Sequence, residues 1–300
     1  MPSPSRHQGR DLDPIAVTVV GGYLGAGKTT LVNHVLVNAD ETIAVIVNDF
    51  GDIDIDAALI DQRSETTLAL ANGCICCSLV EGFAAALDTI DAVRPRPQRL
   101  LIEASGVADP ASVAAYGHRP GFRLEGVLVL ADASSVVEKA TDTYVGDVVL
   151  HQLRGADLVV LNKTDLHPEP EAVADWLRER CQAPVIAARD AAVPLDVLLA
   201  PAVATLHHEV DTAPADLTFR RGAIELAEPI DRQALLQMLA GLAPSVVRAK
   251  GFAWVADEPE RAVLVQRVGR RTTLTPWRPW DQMDRPPATH IVTIELKPKT

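Results

Sequence analysis

The sequence predicts a doubly wound α/β domain with a mostly parallel sheet, followed by a small α+β domain. Two observations carry this expectation. From about residue 15 to 200, short Val/Ile/Leu runs alternate with longer amphipathic stretches. Beyond residue 216 the pattern changes to alternating apolar and polar positions. Near-continuous apolar strands suit a parallel sheet covered by helices on both faces, whereas alternation suits an antiparallel sheet with one solvated face.

Taken in order, the apolar runs are IAVTVV (15–20), TIAVIVN (42–48), RLLIE (99–103), GVLVLAD (126–132), DLVVLN (157–162) and PVIAA (184–188). Between them lie amphipathic segments such as TTLVNHVLVN, LVEGFAAALDTIDAV and PEAVADWLRERC. The later strands are expected in LTFRRGAIEL, SVVRAKGFAWVA, RAVLVQRVG and ATHIVTIEL, with one helix in DRQALLQMLAGL. Residues 1–13 read as a disordered polar tail, 14–205 as the first domain, 206–216 as a linker and 217–300 as the second domain. Trp254, Trp277 and Trp280 are expected in packing roles, because Trp is heavily buried on average. Cys181, alone in an amphipathic segment, is expected in the core.

Composition narrows the function. The 300 residues are 48% hydrophobic and 23% charged, an ordinary globular balance. A net charge of −12 argues against a nucleic-acid partner, which needs a basic face, and leaves a protein client and a homodimer open. No apolar run is long enough to span a bilayer and the N-terminus has no secretory apolar core, so no membrane role and a cytoplasmic location are expected. Four cysteines in such a chain do not make a disulfide framework; clustered, they suggest metal or redox chemistry.

GGYLGAGKTT follows the first strand and opens a helix. Gly22-x-x-x-x-Gly27-Lys28-Thr29 fits the phosphate-loop pattern, so the first domain reads as a P-loop NTPase. Inward backbone N–H groups and the helix N-terminus favour phosphate, with Gly22, Gly25, Ala26, Gly27, Lys28, Thr29 and Thr30 as the binding set. Lys28 should reach the β- and γ-phosphates and Thr29 should hold Mg²⁺. In NKTD, the Asp165 carboxylate can accept from guanine's ring N–H and amine, a pair of donors adenine lacks, so the nucleotide is expected to be GTP, with Asn162 and Lys163 beside it. Glu103, at the carboxyl end of a strand, can hold Mg²⁺ or orient the attacking water, and Gly106 can present its N–H to the γ-phosphate. Asp49 and Asp52 fall in VNDFGDIDID, where a nucleotide-sensing loop is expected. Lys28, Glu103 and Asp49 form the candidate catalytic set.

NGCICCSL places Cys74, Cys76 and Cys77 within four residues. Bridging such close neighbours as a disulfide is strained. Thiolates prefer Zn²⁺, with Co²⁺, Ni²⁺ and Cu⁺ as alternatives, and a fourth donor would come from Asp52, His118 or His151. Metal transfer, a redox switch and inert cysteines are the three readings of this cluster. It lies between the NDFG and EASG segments, the positions at which a γ-phosphate would be sensed, so metal affinity and nucleotide state are expected to be coupled.

In this order and spacing, GGYLGAGKTT, VNDFGDIDID, NGCICCSL, EASGVADP and NKTD resemble the CobW-type GTPases, P-loop proteins related to the urease and hydrogenase nickel-insertion GTPases. SVVRAKGFAWVADEPERAVLVQRVG is similar to the CobW C-terminal domain, and the resemblance runs from residue 15 to about 296. It implies a low-turnover GTPase that binds Zn²⁺ or Co²⁺ and delivers it to a client metalloprotein. The metal residues it implies are Cys74, Cys76 and Cys77, with Asp52 and His118 as additional ligands. Cobalt supply to cobalamin biosynthesis and a zinc- or redox-sensing GTP-binding regulator are the alternative roles. The chain departs from the family in having NDFGD where NEFGE is usual, in its single His207-His208 pair in place of a histidine-rich stretch, and in stopping soon after its last strand, which implies a minimal second domain.

Overall fold

The structure is a computed structural model that describes residues 13–47, 67–71, 79–199, 219–283 and 285–297. Strands β1 (Ile15–Gly22), β2 (Ile43–Val47), β3 (Thr67–Ala71), β4 (Arg99–Glu103), β5 (Phe122–Asp132), β6 (Leu158–Asn162) and β7 (Val185–Ala187) form one sheet in the order β3-β2-β4-β1-β5-β6-β7. Every pairing in it is parallel. The all-apolar runs are therefore explained: both faces of these strands are covered, and neither can be polar.

One face packs against α2 (Leu79–Ala92), α3 (Pro110–Ala114), α4 (Val136–Thr141), α5 (Gly146–Arg154) and α6 (Pro170–Arg178), through residues such as Leu87, Ile90, Val136, Leu153 and Leu177. Cys181 is buried in this layer, where its Sγ donates to Leu177 O and burial pushes the thiol pKa up. On the opposite face lie α1 (Lys28–Asn38) and α7 (Leu195–Leu198), again in apolar contact with the sheet. The architecture is doubly wound, as the sequence predicts.

The second sheet is antiparallel, built from β8 (Phe219–Leu226), β9 (Val246–Trp254), β10 (Arg261–Val268), β11 (Arg271–Pro279) and β12 (Thr289–Leu296) in the order β11-β10-β9-β12-β8. Helix α8 (Arg232–Ala240), capped by Asp231, covers one face through Leu235 and Leu239. The expectation of a solvated second face does not hold for its central strands. Val247, Val268 and Ile294 join the core beneath the parallel sheet, and Phe252, Leu264, Trp277 and Trp280 form a further buried cluster. Trp254 packs against that cluster while only partly buried.

Two strands escape the sequence pattern. TLALA of β3 is short, with alanines that fit a helix as readily as a strand. RTTLTPWRP of β11 contains two prolines, which argue against a strand; as an edge strand it tolerates the missing N–H groups.

The contact between the two sheets is electrostatic at its centre. The register of β1 and β5 slips between Val17 and Thr18, so Leu124 and Gly126 oppose adjacent residues and Glu125 is the extra residue of a bulge. A bulge re-aims a side chain. Here the fully buried Glu125 carboxylate meets Arg99 Nη1 at 2.6 Å, Gln266 Nε2 at 2.7 Å, Arg248 Nη2 at 3.3 Å, and Arg123 and Lys250 at 3.6 Å. Arg248, Lys250 and Gln266 come from the second sheet. Burial by itself would raise the Glu125 carboxyl pKa, but the charges of Arg99, Lys250, Arg123 and Arg248 hold it well below the usual range. Lys250 is pushed down to about 7, chiefly by burial and further by the neighbouring arginines, against the pull of Glu125.

Lys250 thus binds fewer protons in the folded than in the unfolded chain between about pH 7 and its ordinary 10.5. Stability should therefore rise with pH from 7 towards 9 through this group. Denaturant unfolding at pH 7, 8 and 9 should show a shallower rise in Lys250→Met than in the parent; equal slopes would contradict this assignment.

Candidate nucleotide site

The carboxyl ends of the parallel strands converge on one cleft of about 370 Å³ lined by Leu24, Gly25, Gly27, Lys28, Thr29, Thr30, Val47, Glu103, Ala104, Ser105, Gly106 and Lys163. This is the edge at which open α/β sheets bind ligands. The loop from Gly22 to Gly27 leaves β1 and runs directly into α1, so the first backbone N–H groups of that helix face the cleft with its positive end. Gly27 has φ +100°, and a Cβ there would stand 2.4 Å from Asn162 Nδ2. No other residue fits this position.

Lys28 is buried and its Nζ donates to Gly22 O at 3.0 Å, so the ammonium lies along the loop it serves. Thr29 Oγ1 donates to Glu103 Oε1 at 2.9 Å across the cleft floor, and Glu103 is itself buried. A hydroxyl and a carboxylate, both hard oxygen donors, therefore meet next to a lysine. That donor set suits Mg²⁺ and not a soft ion.

The NKTD segment is tied to the phosphate loop from below. Asn162 Nδ2 donates to Ala26 O at 3.0 Å, and Asn162 Oδ1 accepts from the Ala191 N–H at 2.8 Å. Lys163 takes a left-handed conformation with φ 58°, and its Nζ donates to Gly25 O at 2.8 Å and to Asp132 Oδ2 at 2.7 Å. Thr164 donates through both N and Oγ1 to Ala188 O. Asp165 follows in a short 3-10 turn, Thr164–Leu166, with its side chain exposed. One amide and one ammonium thus bind the loop carbonyls to the segment expected to read the base.

Asp132 does not stand out in the sequence. Its signal is positional, since it ends β5 at the same edge as Glu103 and Asn162. Burial would raise its pKa, yet the hydrogen bonds from Lys163 and Ser134 lower it, so it stays ionised opposite Lys163. Ala191 and Gln152 likewise emerge only from the fold.

Of the expected site residues, Gly25, Gly27, Lys28, Thr29, Thr30, Glu103, Gly106 and Lys163 line the cleft, while Gly22, Ala26 and Asn162 support it from behind. Asp49, Asp52, Cys74, Cys76 and Cys77 lie outside the described residues. His118 is exposed at the end of a 3-10 turn, Ala115–His118. That turn packs on the early part of α2, with Tyr116 against Phe83 at 4.5 Å between ring centroids and Arg119 Nη1 donating to Ala84 O. His151, on α5, lies 3.5 Å from Asp109. Among the described residues no cluster of three metal-ligating side chains is present, and no helix is long and apolar enough to cross a membrane.

The fold and this cleft define a phosphate-loop nucleotide-binding protein on a doubly wound sheet. Within that class the chain belongs to the CobW/HypB/UreG family. The nucleotide-binding domain of that description matches residues 16–187, and the cobalamin synthesis protein cobW C-terminal domain matches residues 219–300. It is 32% identical over 309 residues to the zinc chaperone YjiA of Escherichia coli, with 95% of each chain covered. It is 31% identical over 330 residues to the zinc chaperone CobW of Sinorhizobium, covering 94% of this chain and 93% of that one. A crystal structure of Zn(II)-bound YjiA GTPase from E. coli aligns over 95% of both chains at 28% identity, with a TM-score of 0.47.

Asn162→Ala leaves the Ala26 carbonyl and the Ala191 N–H without their partner. The variant should lose about 1–3 kcal/mol of stability in the absence of nucleotide. Urea unfolding of the two proteins checks this, and coincident midpoints would contradict it.

Proposed function

We propose that the protein is a GTP-hydrolysing metallochaperone that carries Zn²⁺, with Co²⁺ as an alternative cargo, on Cys74, Cys76 and Cys77 and passes it to a client metalloprotein under nucleotide control. Asp52 and His118 are the proposed additional ligands. The reading places the metal-carrying segment in the span 14–205 and treats 217–300 as a second domain joined through residues 206–216.

The observation that carries it is the alignment of strand ends. In register, Ala71 of β3 pairs with Val47 of β2, which pairs with Glu103 of β4, which pairs with Val20 of β1. Neighbouring strands are about 4.8 Å apart, so the end of β3 lies roughly 10 Å from Glu103 and on the same edge. Cys74 is three residues beyond Ala71. In this reading the state of the phosphate loop is coupled to the thiols that follow β3 in the sequence.

In this reading the backbone N–H groups from Gly22 to Thr30 enclose the phosphates and Lys28 reaches the β- and γ-oxygens. Thr29 and Glu103 would hold Mg²⁺, which when bound neutralises charge on those oxygens. Glu103, with Asp49, orients the attacking water, and the Gly106 N–H faces the γ-phosphate. Asp165 takes the guanine edge, steadied by Asn162 and Lys163. The curated relatives named as zinc chaperones support the cargo assignment.

Two measurements test this. Glu103→Ala should abolish phosphate release from GTP while GDP binding persists, and Asp165→Asn should weaken GDP binding by about 10-fold or more, since the amide sets an N–H donor against one of the two guanine donors. Unchanged turnover or base preference would remove these roles. Zinc and cobalt titrations of the reduced protein should give tight binding near one equivalent, altered by a GTP analogue relative to GDP and lost in Cys76→Ser. Nucleotide-blind binding would assign the thiols to sensing or redox chemistry instead.

A further inference from the structure

The segment from Ala104 to Asp109 joins β4 to α3 and has no regular secondary structure of its own, so other contacts must fix its shape. Its first N–H donates to Val20 O at 2.9 Å, and the Ala108 N–H turns back to Ser105 O at 3.0 Å. Gly106 approaches the phosphate loop closely: a Cβ there would stand 2.5 Å from Leu24 Cδ2 and 2.9 Å from the Leu24 backbone nitrogen. From the other side comes α5. Gln152, only 2% exposed, donates through Nε2 to Gly106 O at 3.1 Å and to Ala108 O at 2.7 Å. Both partners are carbonyls, so the nitrogen end of the amide must face them, and both its protons are used. The preceding residue, His151, lies 3.5 Å from Asp109, whose carboxylate caps α3 through the Ala111 and Ser112 N–H groups.

A trans peptide holds its C=O and N–H in opposite directions. Drawing Gly106 O towards α5 therefore turns the Val107 N–H away from that helix. The Ser105–Ala108 turn similarly fixes the peptide that carries the Gly106 N–H.

We infer that Gln152 is a positioning residue for GTP turnover: by binding the Gly106 and Ala108 carbonyls it holds the Ser105–Ala108 turn in the shape that presents the Gly106 N–H to the γ-phosphate. The inference deepens the proposed function and rests on the reading that this cleft hydrolyses GTP. The two hydrogen bonds of Gln152 both go to the Gly106–Ala108 segment, so its proposed role lies in the part of the site that distinguishes GTP from GDP.

The test is Gln152→Leu, which keeps the bulk and removes both donors. Single-turnover GTP hydrolysis should fall about 10- to 100-fold, the scale on which small misplacement of a catalytic group acts. GDP affinity should be unchanged, while the preference for a GTP analogue over GDP is lost. A folded variant with wild-type turnover and wild-type preference would overturn the inference and leave the proposed function standing. A parent protein that releases no phosphate from GTP would overturn both. Hydrogen exchange on the unaltered protein gives a second measurement that does not depend on the variant folding: amides from 106 to 108 should slow with a GTP analogue relative to GDP, and identical exchange would overturn the inference.

Discussion

A buried carboxylate, Glu125, stands where the two halves of this protein meet. Glu125 is the extra residue of a β-bulge, which turns both it and Gly126 towards the second sheet. Four basic side chains surround it, two from the parallel sheet and two from β9. Removing one partner from such a group typically costs about 3–5 kcal/mol, because the remaining charges stay buried. The cluster gives register as well as cohesion, since Arg248 and Lys250 can meet Glu125 in only one docking of the sheets. Apolar contact does the rest: Gly126 lets Val268 approach to within van der Waals distance, and Val247 and Ile294 complete the core under β5 and β6.

At the other end of β5 a second carboxylate meets fewer charges. Asp132 is buried too but pairs with a single cation, the half-buried Lys163, which in turn reaches Gly25 O. Asn162 adds its amide to Ala26 O. The phosphate loop is thus shaped from within by its glycines and from below by the strands beside it. A loop held in this way pays little reorganisation on binding phosphate, which is the usual advantage of a preorganised site. The Gly106 segment is held in the same fashion, by Gln152 from α5, on the side away from NKTD.

The family membership fits this arrangement without supplying it. Both matched regions, 16–187 and 219–300, correspond to the two sheets, and the core that joins them contains residues of each. The second sheet covers a face that a doubly wound domain would otherwise close with helices, since among the described residues only α1 and α7 pack there. Its role as a cover explains why Arg248, Lys250 and Gln266 are buried, with Arg248 donating also to the Val197 and Leu198 carbonyls of α7.

The sequence by itself determined the local chemistry. Continuous Val/Ile/Leu runs required a sheet buried on both faces, and GGYLGAGKTT after such a run required a phosphate-binding turn, because only glycine accommodates the positive φ at Gly27. NKTD and EASG declared themselves by falling at strand ends. Tertiary structure decided what depends on partners distant in the chain. TLALA became β3 because β2 offered it a free edge, and RTTLTPWRP became β11 because an edge strand does not need every N–H. Glu125, Arg99 and Lys250 look like ordinary surface charges in the sequence and are buried only because a bulge turns one of them inward. Asp132 and Gln152 follow the same rule. A hydrogen bond between residues 31 or 46 positions apart leaves no periodic trace, since periodicity reports the environment of a segment and not the partner it meets.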